Sequence, residues 1–358
     1  MSFYIHSDCR FYRGDLPCLP HKEQGYHCKN CPAYEKISKR ILIIKLGAIG
    51  DVIRTTPLLR RFRTLYPGCY ITWLTLTPAI LPKKEVDEIL SFDLKNITWL
   101  QKAEFDIVVN LDKEKEAGAL LAAVHADEKF GFILKKNVIQ PANPLAFHKF
   151  NTGMFDDVSK KNTKSYCEEI FEICGQKYEG EKYVFDDHSD KGFKWKFPGK
   201  KKIVGLNTGC GGRWTTRLWP NEHWIALVKK LKKEGFLPVL LGGEQEHKNN
   251  LALAKKSGAL YPGHFSLDRF INLVHQCDLV VTQVTMAMHI TIALGKKIVL
   301  MNNIFNKHEF DLFGKGSIVE PEKECECFYK GKCANGESCM KDLSPEKVYR
   351  EVKALLKK

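Results

Sequence analysis

The sequence predicts an α/β protein with two halves, each built on a parallel sheet that helices cover on both faces. Apolar runs at residues 71–76 and 105–111 read as buried strands, and the run at residues 117–126 reads as a packed helix. A second series of strands begins near residue 202. Alternation of this kind is typical of parallel α/β sheets. With 358 residues, 44% of them hydrophobic, the chain is long enough for two cores.

The first 39 residues are polar and irregular, and we expect them to form a separate cysteine-rich extension. They contain four cysteines: Cys9, Cys18, Cys28 and Cys31. Four thiolates can form a closed tetrahedral site for zinc, or they can ligate iron. Because so short a segment cannot bury a core, a structural metal would determine its fold. The alternative is a set of reduced thiols without a metal.

The first strand of the first half, at residues 41–46, runs through a glycine turn into a helical pattern. Gly47 and Gly50 let the chain turn and leave room for a ligand, and Asp51 stands at the first position able to cap the helix. In open α/β sheets, ligands bind beyond the carboxyl ends of the strands. We therefore expect Asp51 to point into a ligand-binding crevice.

Residues 46–57, LGAIGDVIRTTP, resemble the opening signature of the heptosyltransferase-like family of bacterial glycosyltransferases, and the similarity extends from residue 40 to the C-terminus. The resemblance implies the GT-B fold, in which two Rossmann-like domains face each other across a cleft. It implies an acceptor domain at residues 40–190 and a nucleotide-sugar donor domain at residues 191–358. The charged segment 186–202 has the composition of a linker between them. The resemblance also implies that Asp51 is the catalytic base.

A Rossmann dehydrogenase is the natural rival, because it has the same alternation of strands and helices. Gly47 and Gly50 give G-x-x-G, whereas a dinucleotide-binding turn has G-x-G-x-x-G. The second strand ends at Thr75, Leu76 and Thr77, where these enzymes place an acidic ribose ligand. Both observations disfavour a dehydrogenase.

The second half opens with a strand that runs into a glycine-rich loop at residues 207–212. The hydroxyl of Thr208, the backbone at Gly209 and the guanidinium of Arg217 are suited to phosphate oxygens. The alternative is an ordinary turn with incidental basic residues. The segment is similar to the family's small-residue loop and K/R-x-W-P motif. The resemblance implies that Arg217 contacts the diphosphate of the donor.

Two glutamates follow the next strand of this half, within the sequence LLGGEQE at residues 240–246. The resemblance implies that one of them, Glu244 or Glu246, contacts the ribose of the donor. The structural alternative is that Glu244 caps the next helix.

Residues 278–295 resemble a third block of the family, in which Thr285 and His289 match the pattern. Two positions depart from it, because Val284 lies where the family has aspartate and Met286 where it has glycine. A glycine at that place permits close approach of phosphate to a helix N-terminus, and a methionine side chain would crowd it. His289 taken alone is more often a buried structural histidine than a ligand, and only the surrounding block makes the ligand interpretation equally good.

The C-terminal tail carries a second group of cysteines, with the spacing C-x-C-x5-C-x5-C: Cys325, Cys327, Cys333 and Cys339. They predict a second structural zinc or iron site, with reduced thiols under a loop as the alternative. The closing helix at residues 344–356 is amphipathic, and we expect it to pack on one of the two domains.

Lysine and arginine exceed aspartate and glutamate by 56 to 42, which gives a formal charge of +14 and favours anionic partners. The N-terminus lacks a signal-peptide pattern, and no apolar stretch reaches the length of a membrane-spanning helix. We expect a cytoplasmic protein that can be peripheral at the inner membrane face. In that compartment the 13 cysteines favour metal ligation over disulfides.

The resemblance implies an inverting glycosyltransferase that moves a sugar from a nucleotide donor to an anionic glycolipid or glycan, with no organic cofactor beyond the donor. The family's usual donor is ADP-heptose and its usual acceptor is the lipopolysaccharide core. One alternative is a catalytically degenerate GT-B binding protein, suggested by Val284 and Met286. Another is a basic, metal-binding protein that associates with nucleic acid, but no nucleic-acid-binding motif supports it, and we expect no such partner.

Overall fold

The computed structural model describes residues 4–186, 194–212, 214–323, 325–333 and 336–357. The chain divides into two compact units. The first comprises Met1–Gly47, Thr55–Phe150 and Ile170–Lys177, and the second comprises Ala48–Arg54, Asn151–Glu169 and Tyr178–Lys358. The cysteine-rich extension therefore belongs to the first unit and Asp51 to the second. The predicted boundary at residue 190, and residues 187–193 of the predicted linker, lie outside the described residues.

The first unit contains a sheet of six strands in the order β3-β2-β1-β4-β5-β6. The strands are β1 (Arg40–Ile44), β2 (Tyr70–Thr75), β3 (Glu88–Ser91), β4 (Glu104–Asn110), β5 (His125–Lys135) and β6 (Val138–Pro141). All neighbours are parallel except β5 and β6, which pair antiparallel. The predicted strands at residues 71–76 and 105–111 correspond to β2 and β4.

The second unit contains a five-stranded sheet in the order β11-β10-β9-β7-β8, with all neighbours parallel. The strands are β7 (Ile203–Asn207), β8 (Leu237–Leu241), β9 (Leu279–Gln283), β10 (Lys297–Met301) and β11 (Gly316–Val319). A parallel bridge between Val239 and Leu260 extends the sheet beyond β8. With that bridge, the second sheet has the same order as the first, which is the 3-2-1-4-5-6 order of a doubly wound fold.

The α-helices alternate with the strands as the sequence predicts, apart from the first, which lies in the N-terminal extension, where the sequence predicts irregular structure. They are α1 (Leu19–Gln24), α2 (Ile49–Thr55), α3 (Pro57–Leu65), α4 (Leu94–Leu100), α5 (Lys115–Ala123), α6 (Phe147–Met154), α7 (Asp156–Lys161), α8 (Tyr166–Ile173), α9 (Asn221–Lys233), α10 (His247–Ser257), α11 (Leu267–Gln276), α12 (Met286–Ala293) and α13 (Pro345–Lys357). Within the described ranges, no helix combines the length and apolar content that a membrane-spanning helix requires.

Two helices differ from their predicted bounds. The helix predicted for residues 117–126 ends at Ala123, because the backbone from His125 onward pairs with β4 as strand β5. The helix after the first strand is interrupted at Thr56, and Pro57 begins a new helix because proline fits the first turn but lacks an N–H for the interior.

The closing helix α13 packs on the second unit, as its amphipathic pattern predicts. Val348, Val352 and Leu356 are buried in the core cluster of that unit. The indole N–H of Trp219 donates to the carbonyl of Leu343, 2.8 Å away, just before the helix begins. The C-terminal helix is therefore an integral part of the second unit.

The cysteine-rich extension is tied to the first unit by the guanidinium of Arg10. Arg10 forms an ion pair with Asp87 and donates to the carbonyl oxygens of Gly68 and Cys69 at 3.2 and 2.9 Å. Residues Cys9 and Lys36 also form an isolated antiparallel bridge. The extension is thus held by polar contacts to the loop before β2 and to Asp87, which directly precedes β3.

Candidate functional site

A cavity of about 630 Å³ lies beyond the carboxyl ends of β7 and β9, inside the second unit. This is where the strand order of the second sheet reverses, the usual ligand position in a doubly wound fold. Five of the predicted donor-site residues line it: Gly209, Arg217, Glu244, Glu246 and Thr285. Ile49, two residues before Asp51, lines it as well.

Arg217 forms a cationic wall of this cavity. Its side chain is buried, and it donates to the carbonyl oxygens of Trp214 at 3.3 Å, of Cys210 at 2.7 Å and of Val284. Burial lowers the pKa of Arg217 from its usual value. Among the described residues it has no carboxylate partner, so its positive charge is available to an anion in the cavity.

The N-terminus of helix α12 forms a second wall. Thr285 is the N-cap residue, but its hydroxyl makes no capping hydrogen bond, and it lies 3.2 Å from the hydroxyl of Thr282. Met286 and Ala287, the first two helical residues, line the cavity. The first N–H groups of a helix lack intrahelical acceptors and favour anions. This wall is therefore also suited to phosphate.

The two departures from the family pattern act differently in the structure. The backbone carbonyl of Val284 accepts a hydrogen bond from Arg217. This contact to Arg217 does not involve the Val284 side chain. Met286 lines the cavity directly, as expected of a side chain that crowds the helix N-terminus.

Gly209 approaches the carboxylate of Glu246 so closely that a side chain at position 209 would displace this carboxylate. A Cβ at position 209 would lie 2.1 Å from Oε1 of Glu246. The other oxygen of Glu246 accepts from the backbone N–H of Gly243 at 2.9 Å. Glu246 is therefore oriented at the cavity rim, whereas Glu244 is exposed. The residue that precedes helix α10 is Glu246, not Glu244.

Thr208 does not line the cavity. Its side chain is buried, and its hydroxyl donates to Oδ1 of Asn250 at 2.6 Å. Asn250 in turn donates to the carbonyl of Leu241 at the end of β8. In this arrangement the Thr208 hydroxyl connects the loop after β7 to helix α10.

Asp51 lies in the first turn of α2, with its backbone N–H bonded to the carbonyl of Ala48, so it is inside the helix and not at its cap. Its carboxylate pairs with Arg54 at 2.7 Å, and its side chain is 34% exposed. About a third of this side chain is thus accessible to solvent. Asp51 is not among the residues that line the cavity, although Ile49 from the same turn is, so its place in a ligand-binding crevice stays a prediction.

Arg54 is a buried cation between two carboxylates. Its guanidinium lies 3.7 Å from Glu309 and 3.6 Å from the centre of the Tyr166 ring. Burial acts to lower the pKa of Arg54, but the charges of Asp51 and Glu309 outweigh it and raise the pKa above its usual value. Arg54 therefore remains charged.

His289 is buried beside the turn that carries Asp51. A Cβ at Gly50 would lie 2.4 Å from Cδ2 of His289, so this ring, and not a ligand, occupies the room that Gly50 leaves. Burial lowers the pKa of His289 to about 3, and the charge of Arg54 acts in the same direction while Asp51 opposes it. His289 is a neutral imidazole that packs against α2, and it does not line the cavity.

Sequence reasoning missed several residues of the site. Arg54 follows Asp51 by three positions on one helix face, a spacing at which opposite charges pair, so it could have been found. Glu309 and Tyr166 have no such local signal. Phe265 and Phe270, which line the apolar end of the cavity, come from the segment around the start of α11 and match no motif.

The two groups of cysteines are each brought together by the fold. Cys9, Cys18, Cys28 and Cys31 line one small cavity of about 20 Å³. In the tail, the sulfur atoms of Cys327 and Cys333 are 3.5 Å apart. Among the residues that the structure describes, however, no group of three or more His, Cys, Asp or Glu side chains is arranged to hold a metal ion. The two metal sites therefore stay predictions.

Solved structures share the fold of this chain. The crystal structure of a family 9 glycosyl transferase from Veillonella parvula DSM 2008 gives a TM-score of 0.67 at 20% identity, covering 90% of this chain and 98% of the other. The Escherichia coli ADP-heptose lps heptosyltransferase II gives 0.63 at 16% identity, covering 88% and 98%. These values establish the similarity of fold.

Sequence comparison gives the family. Lipopolysaccharide heptosyltransferase 2 of Escherichia coli strain K12 is 27% identical over 351 residues, covering 88% of this chain and 98% of that relative. The model of glycosyltransferase family 9 (heptosyltransferase) matches residues 94–312, which is more than half of the chain. The chain therefore belongs to glycosyltransferase family 9, the heptosyltransferase family, and is a glycosyltransferase.

Proposed function

We propose that this enzyme transfers heptose from ADP-heptose to the lipopolysaccharide core or a related anionic glycan, with inversion at the anomeric carbon. The observation that carries the proposal is the cavity where the strand order of the second sheet reverses, because the guanidinium of Arg217 and the positive end of the α12 helix dipole both line it. The names of the relatives supply the sugar and the acceptor: one is a lipopolysaccharide heptosyltransferase and another an ADP-heptose enzyme.

The cavity suggests how the donor is bound. The diphosphate lies between Arg217 and the first N–H groups of α12, where hydrogen bonds from a charged donor and the helix dipole stabilise it. The carboxylate of Glu246, oriented by Gly243, accepts from the ribose hydroxyls. Phe265 and Phe270 provide an apolar end for the base.

Asp51 acts as the general base. Its carboxylate takes the proton from the acceptor hydroxyl as the hydroxyl oxygen attacks the anomeric carbon. The bond from that carbon to the diphosphate breaks on the opposite face, so the centre inverts. Arg217 and the helix N-terminus stabilise the charge that develops on the departing ADP.

The GT-B assignment and the division of labour between domains are part of this proposal. Both sheets have the same strand order, as expected for two Rossmann-like domains. Because the donor cavity belongs wholly to the second unit, the first unit is assigned to the acceptor. The net charge of +14 suits an anionic glycolipid at the cytoplasmic face of the inner membrane.

A structural zinc or iron at the two cysteine groups also remains a proposal. The donor types fit, since four thiols line one cavity in the extension, but the side chains do not form a coordination site among the described residues. The proposed mechanism uses no metal. Elemental analysis of the purified enzyme tests it: a stoichiometric metal that is lost in a Cys28→Ser, Cys31→Ser variant supports it, and metal-free active enzyme refutes it.

The direct test of the function is a mass-spectrometric assay of a panel of nucleotide sugars with lipopolysaccharide acceptors. We expect release of ADP and a heptose-sized mass increase with ADP-heptose, and little product with UDP- or GDP-sugars. Transfer from another nucleotide sugar would change the proposed donor. Thermal stabilisation by ADP-heptose without product would instead indicate a binding protein.

A further inference from the structure

Asp51 is the accessible end of a row of charged and polar side chains that enters the second unit. Arg54 Nη2 lies 2.7 Å from Oδ1 of Asp51, and Arg54 Nη1 lies 3.7 Å from Oε2 of Glu309. The hydroxyl of Tyr329 donates to the other oxygen of Glu309. Adjacent members of the row are therefore joined by an ion pair or a hydrogen bond.

The guanidinium of Arg54 is fixed by more than charge. It stacks on the ring of Tyr166, with 3.6 Å between the guanidinium carbon and the ring centre. The side chains of Arg54 and Glu309 are each only 13% exposed, compared with 34% for Asp51. A buried, stacked guanidinium has few alternative positions, so it constrains the carboxylate to which it is bonded.

We propose that Arg54 is the residue that positions the catalytic carboxylate of Asp51, and that Glu309 balances the charge of Arg54 so that Asp51 can still accept a proton. This inference rests on the proposed role of Asp51 as the base. It goes beyond that role because it assigns the orientation and the basicity of Asp51 to two residues that are not among those lining the cavity.

Arg54 and Glu309 have opposite effects on the carboxylate of Asp51. A nearby guanidinium favours the ionised form of Asp51 and weakens it as a base, whereas a nearby carboxylate favours its protonated form. An arginine alone would orient Asp51 at the cost of its basicity. Glu309, on the far side of Arg54, offsets that cost.

Four described titratable groups in or beside the row have pKa values shifted away from neutral pH. They come from the loop before β7, from α8, from α12 and from the tail: Tyr183, Cys167, His289 and Tyr329. Burial raises the pKa values of Tyr183, Cys167 and Tyr329, and burial lowers the pKa of His289 to about 3. The ring of Tyr166 from α8 also faces Arg54.

The experiment is a ¹³C NMR titration of the Asp51 carboxyl group, assigned with an Asp51→Asn spectrum, in the full chain. In Arg54→Gln we expect the pKa of Asp51 to rise by about one unit or more relative to the wild type. In Glu309→Gln we expect it to fall. Glu322→Gln, an exposed glutamate of the same unit, serves as the control and should leave it unchanged.

Kinetics provide the second readout. Arg54→Lys keeps the charge but loses the planar, stacked group, so kcat should fall about tenfold or more while the acidic limb of the pH profile stays near its wild-type position. Equal shifts in Arg54→Gln and Glu309→Gln, or no shift in either, would overturn the inference. Because the titration needs no turnover, an inactive wild-type enzyme would refute the proposed function without affecting this test.

Discussion

At the scale of single residues, the site separates side chains that face the cavity from those that hold them. Arg217 and Glu246 line the cavity, whereas the Thr208 hydroxyl is bonded to Asn250 and His289 is buried against Gly50. A sequence motif contains both kinds of residue, because the cavity needs side chains that face a ligand and side chains that fix the surrounding backbone. Only the contacts distinguish a ligand-facing residue from a structural one.

Replacing Asp51 by Asn should lower kcat by about 10²-fold or more, because the amide cannot accept the proton of the acceptor hydroxyl. Affinity for ADP should be unchanged, since the donor cavity is lined by other residues. Steady-state kinetics with ADP-heptose and calorimetry with ADP measure the two quantities. Asp342→Asn, on the surface far along the chain, is the control. Wild-type turnover in Asp51→Asn would exclude Asp51 as the base.

His289 predicts how stability depends on pH. Its pKa is about 3 in the folded protein and 6.5 at its ordinary value, so the unfolded chain binds a proton that the folded chain does not. Stability should therefore be full above pH 6.5 and decline as the pH falls below it, by about 2 kcal/mol at pH 5. Urea unfolding at pH 7 and pH 5 measures this decline. A His289→Gln variant should lose less stability between pH 7 and pH 5 than the wild type. An equal loss in both proteins would contradict the low pKa of His289.

At the scale of elements, the sequence predicted strand, glycine loop and helix in the right places, because periodicity and glycine report local conformation. It did not predict which glycine serves which purpose. Gly50 makes room for the His289 ring, and Gly209 makes room for the Glu246 carboxylate. Both contacts join segments far apart in the sequence, and no local pattern encodes them.

Gly209→Ala should weaken ADP binding about tenfold while changing the free energy of unfolding by no more than about 1 kcal/mol. The new Cβ would displace Glu246 from its position beside Gly243, and that side chain can swing toward solvent at low cost. Gly212→Ala, in the same loop but with nothing within 4 Å of its Cβ, is the matched control. If both variants bound ADP equally well, the Glu246 carboxylate would have no part in donor binding.

At the scale of the whole molecule, composition and alternation predicted two parallel α/β sheets, and both are present. The assignment of segments to units was beyond prediction, because it depends on contacts across the chain. Residues 48–54, with Asp51, belong to the second unit although the strand before them belongs to the first. Charge, by contrast, is additive, so the basic character of the chain could be read directly from its sequence.

The central claim is that the cavity beyond β7 and β9 binds the diphosphate of a nucleotide sugar. Calorimetric titration of the wild-type enzyme with ADP, AMP and adenosine tests this claim. The same titrations are then made with Arg217→Met and with Lys229→Met, a surface control. We predict that ADP binds at least about tenfold more tightly than adenosine, and that Arg217→Met loses this preference while Lys229→Met keeps it. Equal affinity of the wild-type enzyme for ADP and adenosine would contradict the account.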